Sequence, residues 1–209
     1  METFETPGHK IICKTFIGMI DNKEFTEAIS KCVATLVPLG IYVSRNVRQP
    51  AYGTPGSGCM DFYVPEFDAE FIESLALKNP RFTKERISMI VATGVVTLKP
   101  LEAICVPSGI FARLAKGTAL RAYNKSGVAT KLQLIRGAEY VDCDYTGEIH
   151  LHVINASDEY VNVTPSMKLV QFEYGPVFTA EQVVFGSKEE MYAEFESVRG
   201  EGWQGSTGN

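Results

Sequence analysis

From residue 41 onward, the apolar residues of this chain fall into short β-rich runs cut apart by proline and glycine, and that punctuation limits the fold more than any other feature. The runs are Ile41 to Val47, Gly94 to Leu98, Ala103 to Val106, Thr118 to Ala122, Ile149 to Ile154 and Lys168 to Phe172. β-Branched and aromatic residues suit a pleated, half-buried surface, whereas Pro and Gly end a strand or turn it. Several short strands with turn signals between them point to an all-β sandwich or barrel-like roll rather than to βαβ units. At 209 residues, 45% of them hydrophobic, the chain is long enough to bury a core without disulfide or metal staples.

Helix signals interrupt this pattern in three places. Asp21 is an N-cap with Glu24 three residues on, followed by Phe25, Ala28, Ile29, Cys32 and Leu36 on one face. The stretch from Asp68 to Pro80 has a cap, apolar Phe71, Ile72 and Leu75 at helical spacing, and a proline stop. A last helix is predicted from Ser187, where Glu190 completes a capping box and Met191, Tyr192 and Phe195 are available to pack. The expected organisation is therefore a partly helical N-terminal extension (1–40), a β domain (41–198) with a helical insertion at about 66–90, and a C-terminal tail (199–209).

A net charge of −5 leaves no basic footprint for duplex nucleic acid. No run of about 18 apolar residues is present for crossing a membrane, and the first five residues are acidic where a secretory leader is basic. A cytoplasmic protein is expected, or a host-intracellular one if the source is viral. The five cysteines, Cys13, Cys32, Cys59, Cys105 and Cys143, stand singly without C-x-x-C spacing, which predicts reduced, packed thiols.

The final eleven residues, from Arg199 through Trp203, Gly205, Ser206 and Thr207 to Asn209, cannot serve folding, because glycine loses the most freedom on ordering and there is little here to bury. Such a tail is either a loose terminus or a flexible flap over a polyphosphate, with Arg199 as a bidentate donor and the glycines exposing backbone N–H groups. Asn124-Lys125-Ser126-Gly127 is a polar turn after a strand, offering an ammonium, a hydroxyl and open N–H groups, although taken alone it reads first as a plain turn. Within Gly137 to Leu151, the carboxylates Asp142 and Asp144 and the aromatic Tyr145 sit close together just before an alternating strand. If Val141 and Tyr145 face one cavity, Asp142 is placed to take a proton from water; the competing reading is a hairpin with surface aspartates. Asp61 closes a Gly/Pro loop and is a candidate for a hydrated cation. Gln171 lies in an apolar strand and needs a partner, either a phosphate or a backbone group.

In order, these segments resemble the five motifs of the trimeric dUTP pyrophosphatase (dUTPase) family over about residues 41 to 209. Gly58-Cys59-Met60-Asp61-Phe62 is similar to A-G-x-D-L, Asn124 to Gly127 to P-R-S-G, and Tyr140 to Gly147 to the core of G-x-I-D-x-D-Y-x-G. Gln171 stands for the fourth motif, and Arg199 to Gly208 for R-G-x-G-G-F-G-S-T-G. The resemblance implies a mainly β, distorted jelly-roll (β-clip) subunit of a homotrimer with shared active sites, hydrolysing dUTP to dUMP and pyrophosphate with Mg²⁺ on the triphosphate. It implies Asp142 as general base, Tyr145 packing on deoxyribose so as to exclude a 2′-hydroxyl, and backbone near Val141 reading uracil. Lys125, Ser126, Gly127, Gln171, Arg199, Gly205, Ser206 and Thr207 would then meet the phosphates, and Asp61 would be an outer-sphere magnesium residue.

The chain departs from the pattern at several points. Lys125 replaces an arginine, which keeps charge and loses the bidentate fork; Glu139 stands where a small residue is common; and Trp203-Gln204 replaces Gly-Phe, so that Trp203 is the candidate to stack on the base. The long interval from Asp61 to Ser126 accommodates the insertion. Two other readings stay open: a dCTP deaminase or bifunctional deaminase/dUTPase, and a dUTPase-like binding protein of reduced catalysis that engages a protein partner through the insertion or the N-terminal helix.

Overall fold

The computed structural model describes residues 38–194 together with residues 197 and 200. The helix expected over 21–36 and the tail residues Arg199, Trp203, Gly205, Ser206 and Thr207 lie outside the described residues. The chain divides into two compact units, one ending at Val177 and the other starting at Phe178.

In the first unit, the elements run β1 (Gly40–Val43), β2 (Ala51–Tyr52), β3 (Met60–Tyr63), α1 (Ala69–Lys78), α2 (Lys84–Thr93), β4 (Val96–Leu98), β5 (Ala103–Arg113) and β6 (Thr118–Asn124). There follow α3 (Ser126–Lys131), β7 (Leu134–Arg136), β8 (Tyr140–Val141), β9 (Glu148–Asn155), β10 (Val161–Val163) and β11 (Lys168–Pro176). They build antiparallel sheets of order β1-β5-β9-β7 and β2-β3-β11-β6-β8, with β10 paired to β4 in a small third sheet. The expected mainly β fold is what forms.

One hydrophobic core draws on both large sheets: Ile104, Ile110, Ile149 and Leu151 from the first, and Phe62, Leu120, Val170 and Phe172 from the second. The rings of Phe62 and Phe172 meet at 4.5 Å between neighbouring strands. Burying such a side chain contributes about 2–3 kcal/mol. β9 alternates strictly, with Ile149, Leu151 and Val153 buried and Glu148, His150 and His152 half-buried, the period-2 pattern of a strand with one face in the core.

The segment expected as a helical insertion forms two helices. In α1, Asp68 accepts a hydrogen bond from the Phe71 N–H at 2.8 Å, and Phe71, Ile72 and Leu75 are buried. Asn79 staples its far end to β5: its Nδ2 donates to the carbonyls of Leu75 and Cys105, and its Oδ1 accepts from Cys105 N–H. α2 is capped by Thr83, and Gly94 closes it in the left-handed conformation at φ 66°, where glycine carries no Cβ penalty. Gly94, expected to open a strand, is thus a helix cap, and the strand begins at Val96.

Two further elements differ from expectation. β5 runs to Arg113, past Pro107, because its register to β9 shifts between Pro107 and Phe111; such a bulge lets a strand continue past a residue that cannot donate. The polar turn at Asn124–Gly127 continues into the short helix α3. In the second unit, α4 (Lys188–Met191) begins as predicted, with Ser187 Oγ accepting from Glu190 N–H at 3.1 Å. Met191 and Tyr192 are exposed, and Phe195 lies outside the described residues.

Candidate functional site

Asp61, Gln171 and Tyr123 stand in one row across β3, β11 and β6, since Gln171 is registered with both of the others. The Asp61 side chain is 6% exposed and lies between two ammonium groups, with Lys125 Nζ 2.8 Å from Oδ1 and Lys168 Nζ 2.8 Å from Oδ2. Burial pushes the Asp61 carboxyl up, but hydrogen bonds and charge from the two lysines outweigh it, so its pKa falls below the ordinary 3.8. In return, Asp61 holds the Lys168 ammonium above its ordinary value. A carboxylate already shared by two cations is a poor partner for a third, and the described residues contain no cluster of three or more His, Cys, Asp or Glu able to hold a metal. Asp61 is thus engaged by the chain's own cations and unsuited to direct ligation of a metal; the outer-sphere role implied by the resemblance asks for no direct ligation.

Gln171 Nε2 donates to the carbonyl of Asn124 at 3.0 Å, so of the two partners foreseen, the backbone group is the one it has. Asn124 Oδ1 in turn accepts from Arg136 N–H at 2.7 Å. These residues, with Gly58, Cys59, Tyr123 and Glu173, line a cleft of about 390 Å³. Burial, then the charges of Glu173 and Asp61, push the Cys59 thiol up, which keeps it protonated and unsuited to nucleophilic work. Ser126 and Gly127 are exposed at the start of α3, and a Cβ at Gly127 would meet nothing within 4 Å. Glu139, one of the departures, is ion-paired with Arg136.

Val141, Asp142 and Tyr145 line a second cavity of about 170 Å³, together with Glu148, His150 and Phe172. The condition set on the sequence, that Val141 and Tyr145 face one cavity, is met. β8 anchors one side of the segment by pairing Val141 with Leu120. The Tyr145 hydroxyl donates to the Glu148 carbonyl at 2.9 Å, and a Cβ on Gly147 would come within 2.6 Å of the ring's Cζ. Only glycine allows that approach. His150 Nε2 is buried without a hydrogen-bond partner among the described residues; burial, then the charge of Lys78, lowers its pKa and keeps the imidazole neutral near pH 7.

Lys168 and Arg136 were missed in the sequence. Lys168 stands three residues before Gln171, a cue that a cation shares that strand, but its partner Asp61 is remote in the chain. Arg136 precedes the Gly137-Ala138 turn and gave no signal beyond its charge.

The chain is thus a mainly β protein with a lysine-clamped aspartate and an amide in one row of a sheet, and a carboxylate-aromatic segment over a separate cavity. The dUTPase family model matches residues 88–200. Deoxyuridine 5′-triphosphate nucleotidohydrolase of Fusobacterium nucleatum is 33% identical over 115 residues, spanning 54% of this chain and 75% of that relative. Among solved structures, the dUTPase of Staphylococcus bacteriophage 80alpha with dUPNHPP superposes with a TM-score of 0.60 at 16% identity, covering 82% of this chain and 99% of that one. A mutant dUTPase from phage phi11 of S. aureus, whose structure details the coordination of a structural Mg(II) ion, gives 0.54 at 16% identity over 73% and 99%. The chain belongs to the dUTPase family.

Proposed function

We propose that the protein hydrolyses dUTP to dUMP and pyrophosphate. The observation that carries this reading is the cavity shared by Val141, Asp142 and Tyr145, in a chain of this family. Asp142 is exposed beside the half-buried Val141, where its carboxylate can take a proton from water as that water attacks the α-phosphorus. A general base in this role contributes roughly 10²- to 10⁴-fold. The bond from the α-phosphorus to its bridging oxygen breaks, and pyrophosphate leaves. Tyr145 packs on deoxyribose, its hydroxyl occupied by the Glu148 carbonyl, and Trp203 stacks on the base.

Lys125, Ser126, Gly127, Gln171, Arg199, Gly205, Ser206 and Thr207 bind the triphosphate and stabilise the charge that builds on it during transfer. Asp61 acts on the phosphates indirectly, by fixing the ammonium groups of Lys125 and Lys168. Mg²⁺ would be carried on the triphosphate of the substrate, where it would supply neutralisation of phosphate charge.

Asp142 and Tyr145 line a different cavity from Asn124 and Gln171. This separation supports a homotrimer in which one subunit's hairpin completes another's phosphate cleft. Incubation with dUTP in ¹⁸O-water tests the reading: label should enter dUMP, dCTP should release no ammonia, and the enzyme should weigh three times the 23.0 kDa subunit by light scattering. Label in pyrophosphate, or no turnover of dUTP, would contradict it.

A further inference from the structure

One buried cation is not used by the site described so far. The Arg45 side chain is 6% exposed, and a guanidinium is removed from water only where its donors are satisfied. Its Nε and Nη2 donate to the two carboxylate oxygens of Glu148 at 3.2 and 2.9 Å. Its other contacts are on the inserted helix α1: Nη1 to Glu70 Oε1 at 3.0 Å and Nη2 to Ser74 Oγ at 2.8 Å.

The fold makes room for this arginine. At the bulge in β5, Gly109 adopts φ +71°, and a Cβ there would lie 2.9 Å from Arg45 Cβ. The Gly109 N–H that the bulge takes out of the ladder donates to Glu148 Oε1 at 2.6 Å, while its carbonyl accepts from Ser44 N–H at 2.8 Å. Glu148 is therefore gripped at its carboxylate by Arg45 and Gly109, and its own carbonyl receives the Tyr145 hydroxyl. A continuous chain of polar contacts runs from α1 through Arg45 and Glu148 to Tyr145.

We infer that Arg45 is a positioning residue that lets the inserted helix α1 set the pose of Tyr145, and with it the discrimination between deoxyribose and ribose nucleotides. The inference rests on the proposed role of Tyr145 in packing on the sugar. Arg45 lines neither of the two cavities of the site. It acts through Glu148, whose carboxylate it holds at two points while the carbonyl of the same residue receives the Tyr145 hydroxyl.

The test is kcat/KM for dUTP against UTP in the full-length protein, with binding of dUDP against UDP measured in parallel. Arg45→Lys keeps the charge and loses the fork, and should lower selectivity for the deoxy nucleotide roughly five- to tenfold, the scale of coupling between contacting residues. In a Tyr145→Phe background, which lacks the hydroxyl, the same substitution should change selectivity no further. Should Arg45→Lys not fold, Glu70→Gln with Ser74→Ala weakens the link from the helix side and should shift selectivity in the same direction, about two- to threefold. Lowered thermal stability with unchanged selectivity would make Arg45 merely structural and overturn the inference, as would an equal loss with and without the Tyr145 hydroxyl. A wild-type chain that leaves dUTP intact sinks the functional reading alone, because the binding ratio still decides the inference. A chain that binds neither diphosphate overturns both.

Discussion

Between its two lysines, Asp61 contributes both charge order and stability. Its pKa is below 3.8 in the folded chain, so the native state binds fewer protons there than the unfolded state does. The stability it supplies is complete above the unfolded value and disappears as pH falls through the folded one. Asp61→Asn leaves Lys125 and Lys168 facing one another without a counter-ion. Because Lys168 is 42% exposed, the cost should be about 1–3 kcal/mol rather than that of a fully buried pair. Denaturant melts at pH 7 should show this loss, and the gap between variant and wild type should close as the pH drops below the ordinary carboxylate value of 3.8. A gap independent of pH would mean that the ion pairs contribute nothing. Asp61 could be picked out in the sequence as an acid at a strand mouth. Its partners could not, because Lys125 and Lys168 reach it only once β3, β11 and β6 are aligned.

Among the elements, α1 was the most legible part of the insertion: cap, apolar spacing and proline stop all lie within Asp68–Pro80, and each does locally what its residue type favours. α2 was not resolved as a second helix, because its identity depends on a threonine cap and a left-handed glycine that stands next to a β-rich run. The length of β5 was hidden by Pro107, which reads as a stop until the bulge is seen. Besides its buried apolar face and Arg45, α1 is held to the β domain by Asn79, buried with both ends of its amide occupied. Asn79→Ala strands the Cys105 N–H and carbonyl, and buried groups left without partners cost about 1–3 kcal/mol each. Stability measured by thermal unfolding should fall by about 2–4 kcal/mol; an unchanged melting temperature would show that the Asn79 hydrogen bonds contribute nothing to holding the helix.

For the molecule as a whole, the order of motifs along the chain carried more than any one of them. Asp142 and Tyr145 stand on a segment whose cavity forms as expected, and Gln171 has the backbone partner that was one of its two readings, whereas the two lysines beside Asp61 were not foreseen. Whether Asp142 activates the attacking water is decided by pyrophosphate release from dUTP by the Asp142→Asn variant beside wild type. Turnover should fall roughly 10²- to 10⁴-fold, as for removal of a general base, with dUPNHPP still bound at near wild-type affinity. Turnover within a few-fold of wild type would contradict the assignment of Asp142 and the mechanism built on it.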